Sequence, residues 1–273
     1  MFEIAPRITI GPDSRPVYIA GPCVIESAGH ALGIAQTLKE IRDRLGIPLI
    51  FKASFDKANR SSVNSYRGPG IDEGLAILRI IKEQTGMPVL TDVHHPEQAA
   101  VVAEAVDVLQ IPAFLCRQTD LLVACGRTGL PVNIKRGQFM APEDMSNAVD
   151  KVRSTGNERT TLTERGTSFG YHNLVVDMRS FPVMRSFSPV IFDVTHSLQL
   201  PGGLGHSTGG ARDFHPYLAR AAAAAGVDGF FIEVHPDPPL ALSDATTQLT
   251  PSEFEALVPQ LEAISSVVDG AGR

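Results

Sequence analysis

The chain has 273 residues and a net charge of −6, from 30 acidic and 24 basic side chains. With no tryptophan and only 6% aromatic residues it has neither the basic field nor the stacking surface that would make nucleic acid a partner. No stretch approaches the roughly 18 apolar residues that span a bilayer, and the opening "MFEIAPRITIGPDSRP" lacks the charged-then-apolar pattern of a signal peptide, so the chain reads as soluble and cytoplasmic, with no membrane partner.

In chain order, "RITIGPDSRPVYI" (7–19) reads as two short strands about a Gly-Pro-Asp-Ser turn, a hairpin suited to plug the lower end of a barrel. Short apolar or β-branched runs then recur: "VYIA" (17–20), "PLIFKA" (48–53), "PVLTD" (88–92), "DVLQI" (107–111), "PVNIK" (131–135), "TTLTE" (160–164), "VIFDVT" (190–195) and "FFIEV" (230–234). Segments of helical period separate most of them, among them "HALGIAQTLKEIRDRL", "IDEGLAILRIIKEQTG", "APEDMSNAVDKVRSTG" and "ARDFHPYLARAAAAAG". Near-continuous apolar strands alternating with helices imply a parallel sheet covered by helices, and eight repeats in this length match one (β/α)₈ barrel spanning 1–273. A doubly wound open sheet is the competing architecture, but no GxGxxG follows the first strand. Two connections are long, "RGTSFGYHNLVVDMRSFPVMRSFSP" and the glycine-rich "HSLQLPGGLGHSTGG" (196–210); the second reads as a lid.

Barrel residues at the C-terminal ends of strands converge on one mouth, so the residues there form a candidate site. Cys23 follows the first strand, and Lys52, Lys57, Asn59, Arg60 and Ser61 the second; Asp92 and His94 follow the third, Gln110 and Arg117 the fourth, Lys135 and Arg136 the fifth, Glu164 and Arg165 the sixth. The last two strands supply His196, Glu233 and His235, with Asp237 and Asp244 beyond. Of the adjacent His94 and His95, at most one is expected to face the site. Three of only six lysines, Lys52, Lys57 and Lys135, stand at strand ends, and an acidic chain that gathers cations in its mouth is built to hold phosphate or carboxylate.

A second cluster, Cys23, His196, Glu233 and Asp244, mixes thiol, imidazole and carboxylate, a donor set that suits Zn, Fe or Mn better than Mg. Spacing alone leaves Cys23 open as buried filler, as a nucleophile with His196 for its base, or as a metal ligand. No CxxC pair is present, and Cys116 and Cys125 read as packing residues near the fourth helix.

The motifs "IAGPCVIES", "FKASFDKANRSS", "TDVH", "LQIPAFLCRQTDLL", "NIKRGQF", "TERGTSFGY", "FDVTHSLQLPGG" and "FIEVHPDPPLALSD" together resemble the 3-deoxy-D-manno-octulosonate 8-phosphate synthases, from about residue 7 to 268. The resemblance implies a (β/α)₈ barrel, a homotetramer, and condensation of phosphoenolpyruvate with D-arabinose 5-phosphate and water for the lipopolysaccharide sugar Kdo. It implies phosphoenolpyruvate held by Lys52, Gln110, Lys135 and Arg165 with the backbone at Ala113, and arabinose 5-phosphate held by Lys57, Asn59, Arg60 and Ser61, with Arg117 reaching a neighbouring subunit's phosphate. Lys52 and Lys135 thereby join the catalytic set, and Asp92, His94 and Glu233 are the candidates for moving protons. The family's metal-independent branch has Asn where Cys23 stands, so "AGPC" with His196, Glu233 and Asp244 implies a divalent metal cofactor: Zn, Fe, Mn or Co. Competing expectations are the related 3-deoxy-D-arabino-heptulosonate 7-phosphate synthases, whose sugar motif looks like "KPRT" where this chain has "KANRSS", a metal-dependent aldolase on the same barrel, and a non-catalytic sugar-phosphate-binding protein.

Overall fold

The computed structural model describes residues 1–201 and 209–270. A hairpin of β1 (Phe2–Ala5) and β2 (Ile8–Ile10) comes first. The barrel strands are β3 (Val17–Gly21), β4 (Leu49–Lys52), β5 (Val89–Asp92), β6 (Val108–Ile111), β7 (Val132–Lys135), β8 (Thr160–Glu164), β11 (Val190–Asp193) and β14 (Gly229–Glu233). All eight pair in parallel in that order and close β14 onto β3. Outside them run α1 (Ala28–Leu45), α2 (Ile71–Thr85), α3 (Gln98–Ala103), α4 (Thr119–Arg127), α5 (Met145–Arg153), α6 (Ser180–Arg185), α7 (His215–Ala224) and α8 (Pro251–Gly270). This is the expected (β/α)₈ barrel. Among the described residues no helix is long and apolar enough to cross a membrane.

Helix α1 shows how the sequence makes these units. Ser27 caps it by accepting the His30 N–H at 3.2 Å, and Gly46 ends it in the left-handed region with φ 62°. Between the caps Ala31, Ile34, Ala35, Leu38 and Ile41 recur at helical spacing and are buried against the barrel. Cys116 and Cys125 are buried in the same outer core, as expected of packing residues.

The hairpin does plug the barrel's lower end, but its turn is not where the sequence suggests. Strand β1 pairs with β2 around Pro6 and Arg7, the latter at φ 64°, while Gly11–Ser14 forms a separate turn into β3, closed by the Ser14 N–H to Gly11 C=O bond of 3.2 Å. The Gly-Pro-Asp-Ser signal is a real turn that joins hairpin to barrel, and "FEIA" supplies the missing strand. Ile4, Ile8 and Ile10 then pack inside the barrel on Val17, Ile19, Ile50, Leu90, Val108, Ile191 and Phe231.

The connection after β8 is not one continuous loop: it holds a short antiparallel pair, β9 (Thr167–Ser168) with β10 (Leu174–Val175), and then α6. The connection after β11 begins with a 3₁₀ turn at His196–Leu198 and a pair of two-residue strands, β12 (Gln199–Leu200) and β13 (Gly209–Gly210). The middle of the expected lid, 202–208, lies outside the described residues.

Candidate functional site

The strand ends surround a cavity of about 360 Å³ at the barrel mouth. Lys52, Lys57, Asn59, Arg60, Ser61, Asp92, His94, Gln110, Ala113, Lys135, Arg165, His196 and Asp244 all line it. Cys23 and Glu233 lie beneath the wall, 1% and 0% exposed. Arg117 is exposed and outside this chain's cavity. The pairing of His94 and His95 is a correction, since both line the cavity, His94 buried and His95 exposed at its edge.

Cys23 owes its position to Gly21. A Cβ on Gly21 would stand 2.0 Å from the Lys52 carbonyl oxygen, so only glycine lets β3 end this close to β4. The chain then turns, and a parallel bridge between Val24 and Ser54 and the Lys52 ammonium bond to the Cys23 carbonyl (2.9 Å) hold the thiol inward. Its Sγ lies 3.0 Å from Ser243 Oγ and 3.1 Å from Asp244 Oδ2.

Cys23, Glu233 and Asp244 offer donor atoms all within 4.8 Å of one another. His196 brings Nε2 to 3.4 Å from Glu233 Oε1 and 3.8 Å from Asp244 Oδ2. Its Nδ1 is held by Asp193 at 2.7 Å, which orients the ring so that Nε2 faces the two carboxylates. Glu233 Oε2 is fully buried and has no hydrogen-bond partner among the described residues. Ligand atoms converging in this way, one of them without a donor, could hold a cation, and the thiol–imidazole–carboxylate set fits a borderline divalent ion. Burial, then Glu233, pushes the Cys23 thiol well above its ordinary pKa, against the opposing pull of Lys57. Asp244 adopts φ 50°, a conformation uncommon outside glycine and tolerated by Asp.

A second group of ligand-type side chains, Glu26, His30 and His235, is nearby. The Asp237 N–H donates to His235 Nδ1 at 3.0 Å, so this ring carries its proton on Nε2, which faces Glu26 Oε1 at 3.5 Å. Glu26 Oε1 also accepts the Leu242 N–H at 2.9 Å. Without a lone pair on His235 Nε2 the group is a polar clasp between the loop after β3 and the segment leading to Asp244.

The cations divide into spoken-for and available. Arg136, one of the strand-end cations, is turned away from the mouth into a buried pair with Glu164 (2.5 and 2.7 Å) and bonds to Met140 C=O and Thr167, so it ties β7 to β8. Lys52 donates to Glu233 Oε1 at 3.0 Å, and Lys135 to Asp193 Oδ2 at 2.7 Å while lying 3.8 Å over the Phe231 ring. Burial lowers the Lys135 pKa against the opposing pull of Asp193. Arg165 donates through NH2 to Gln199, and its NH1 is buried with no partner among the described residues, a guanidinium donor waiting on the cavity wall. Arg60 is held by Ser243 Oγ and Leu242 C=O, both at 2.7 Å. The loop bearing Lys57–Ser61 follows β4, and Arg165 follows β8, directly across the closed barrel from it.

His94 Nε2 contacts Asp92 Oδ2 at 2.9 Å, with the His94 ring edge-on to Phe55. Burial would raise the Asp92 carboxyl, but the His94 hydrogen bond and charge hold it far below the usual carboxylate range. Gln110 donates to Asn133 Oδ1 at 2.8 Å, and Asn133 donates in turn to Thr161 and Thr163. Strand-end reasoning missed Asn133, Asp193, Gln199 and Ser243. Asp193 and Asn133 sit within strand runs already quoted, and Ser243 directly precedes a candidate ligand, so adjacency was the only available signal.

Comparison with known proteins places the chain in a family. The chain belongs to the DAHP synthetase I family, whose sequence pattern matches residues 1–269. It is 60% identical over 262 residues to a protein of Trichlorobacter lovleyi, covering 96% of each chain, and 56% identical over 264 residues to one of Syntrophotalea carbinolica, covering 96% of this chain and 95% of the other. A Geobacter sulfurreducens protein is 55% identical over 262 residues, 96% of each. All three are named 2-dehydro-3-deoxyphosphooctonate aldolase.

Proposed function

We propose that this enzyme condenses phosphoenolpyruvate with D-arabinose 5-phosphate and water, giving 3-deoxy-D-manno-octulosonate 8-phosphate and phosphate, the reaction that supplies Kdo. The observation that carries the reading is the pair of anion anchors facing each other across one cavity, Lys135 and Arg165 on one wall and Lys57–Ser61 on the other. The shared name of relatives at 55–60% identity supports the same chemistry.

Arg165, through its unpartnered NH1, and Lys135 hold the phosphate and carboxylate of phosphoenolpyruvate, while Gln110, oriented by Asn133, and the backbone at Ala113 fix its plane. Arg60, Lys57, Asn59 and Ser61 grip the sugar phosphate and deliver the aldehyde carbon to C3 of the enolpyruvate. Orientation of this kind is worth roughly 7–11 kcal/mol in well-aligned reactions. As C3 attacks, C2 becomes cationic and accepts water, and the C–O bond to phosphate breaks. His94, held by Asp92 through Nε2, moves a proton at Nδ1, which has no hydrogen-bond partner among the described residues. Cys23, His196, Glu233 and Asp244 hold a divalent ion, whose chemistry is to polarise the aldehyde oxygen or the attacking water. Lys52 stands between this group and the cavity, balancing Glu233.

The discriminating experiment is a phosphate-release assay with the two aldose phosphates. Arabinose 5-phosphate is expected to be strongly preferred; a preference for erythrose 4-phosphate, the substrate of the heptulosonate phosphate synthases, replaces the reading, and phosphate-free cleavage without phosphoenolpyruvate points to an aldolase. Stripping the protein with a chelator is expected to abolish turnover, with restoration by Mn, Fe, Zn or Co added singly. Full activity of the stripped protein refutes the metal assignment.

A further inference from the structure

Two charged anchors of the cavity are joined by one neutral side chain. Gln199, at the start of β12, accepts from Arg165 NH2 through Oε1 at 2.6 Å and donates from Nε2 to Asp244 Oδ1 at 2.8 Å. An amide can accept from a guanidinium and donate to a carboxylate at once; a carboxylate here would repel Asp244 and an ammonium would repel Arg165. Both outer ends of this chain face ligand positions. Arg165 NH1 is buried and unpartnered at the cavity wall, and Asp244 Oδ2 is turned toward Cys23 Sγ at 3.1 Å and His196 Nε2 at 3.8 Å. Asp244 also holds a positive φ of 50°, so its aim depends on the bonds around it.

We propose that Gln199 is a positioning residue that couples anion binding at Arg165 to the aim of Asp244, so that phosphoenolpyruvate and the divalent ion bind cooperatively. The inference rests on the assignment of those two ligands above. An anion on NH1 fixes the guanidinium plane, the NH2 bond then fixes the Gln199 amide, and the amide N–H holds Oδ1 so that Oδ2 stays in the donor cluster. Linkage makes the coupling reciprocal: the ion tightens phosphoenolpyruvate by the same factor.

The test is calorimetric titration of chelator-stripped protein with Mn²⁺, with and without saturating phosphoenolpyruvate and with no aldose, so that no turnover occurs. In the wild-type protein phosphoenolpyruvate is expected to tighten Mn²⁺ by about 5-fold or more. In Gln199→Ala both ligands still bind but the coupling falls to less than about 2-fold; a merely structural role would weaken both affinities and leave their ratio unchanged. Gln199→Glu, isosteric with the native side chain and able to keep the Arg165 contact but not to donate to Asp244, is the second variant and is expected to lose the coupling as well. Coupling retained in either folded variant, or absent from the wild-type protein while both ligands bind, overturns the proposal. A wild-type protein that binds neither phosphoenolpyruvate nor Mn²⁺ overturns the underlying assignment instead.

Discussion

Asp193 holds two side chains of the mouth, Lys135 and His196, on one carboxylate. Fully buried, it meets Lys135 Nζ and His196 Nδ1 at 2.7 Å each through Oδ2, while Oδ1 takes the His196 N–H at 2.9 Å and the Thr195 hydroxyl at 3.1 Å. Burial would raise its carboxyl, but His196 and Lys135 hold it well below the carboxylate range. Asp193→Ala leaves a buried ammonium unpaired and lets the imidazole turn. It is expected to weaken divalent-ion binding by about 10–100-fold, read by chelator competition, as for other residues that orient a ligating histidine. It should also cost about 3–5 kcal/mol of stability, as when one partner of a buried pair is removed. Asp193→Asn, which keeps the acceptor for Nδ1–H, should lose less of the ion affinity; equal ion affinity in Asp193→Ala and wild type would show that His196 needs no such support. The same residues set the acid limit. Burial would raise Asp244, yet His196 and Lys57 hold it at about 2, and Glu233 is lowered by His196 and Lys52 against its own burial. A carboxylate depressed in the folded state stabilises the fold above its unfolded pKa of about 4 and loses that contribution as pH falls through the folded value. Acid unfolding followed by circular dichroism is therefore expected between about pH 4 and 2, and loss of structure already near pH 6 would contradict it.

The hairpin β1–β2 and the site occupy opposite ends of the same strands, which separates stability from chemistry at the level of elements. Ile4 and Ile10 are 0% exposed and pack on the lower barrel layer, whereas the cavity is lined from Lys52, Asp92, Gln110 and Lys135 at the strands' far ends. Ile4→Ala and Ile10→Ala are each expected to cost about 2–5 kcal/mol in denaturant melts, as for other buried large-to-small changes. Turnover per folded molecule should stay at the wild-type level, and a comparable fall in turnover would mean that the plug shapes the mouth. The barrel was legible in the sequence because each strand is an apolar run bounded by turn residues, and a parallel sheet covered by helices needs no other pattern. Strand-end logic likewise reached Cys23, His196, Glu233 and Asp244, since all four lie at or beyond the ends of the adjacent strands β11, β14 and β3. It misassigned the hairpin turn because Gly11-Pro12-Asp13-Ser14 is the stronger local signal than Pro6-Arg7. It could not separate Arg136 from Lys135: neighbouring residues on a strand point to opposite faces, so one pairs with Glu164 while the other enters the mouth. Gln199 and Ser243 stayed hidden because their roles come from meeting Arg165, Asp244, Cys23 and Arg60 across the barrel, and no spacing along the chain encodes such meetings.

At the scale of the whole molecule, Arg117 is the one predicted phosphate-holding residue that does not reach this chain's cavity. It stands exposed on the segment before α4, its backbone carbonyl taking the Lys151 ammonium at 2.8 Å. Phe114, three residues before it, is 52% exposed, a combination of apolar surface and cation that suits contact with a second copy. If copies of this chain exchange Arg117 across an interface, each complete site needs Lys135 from one chain and Arg117 from its neighbour. Arg117→Ala and Lys135→Ala proteins should then each be nearly inactive, the first through loss of sugar-phosphate affinity. Unfolding the two together at equal amounts and refolding them lets subunits pair at random, and a site from an Arg117→Ala chain beside a Lys135→Ala chain has both side chains intact. Activity is expected to return to about a quarter of the wild-type value, because about half of the pairings at a symmetric interface are mixed and one of the two sites in each mixed pair is complete. If Arg117 served its own chain's site, no mixed pairing could restore a complete set, and the mixture would remain as inactive as its parents.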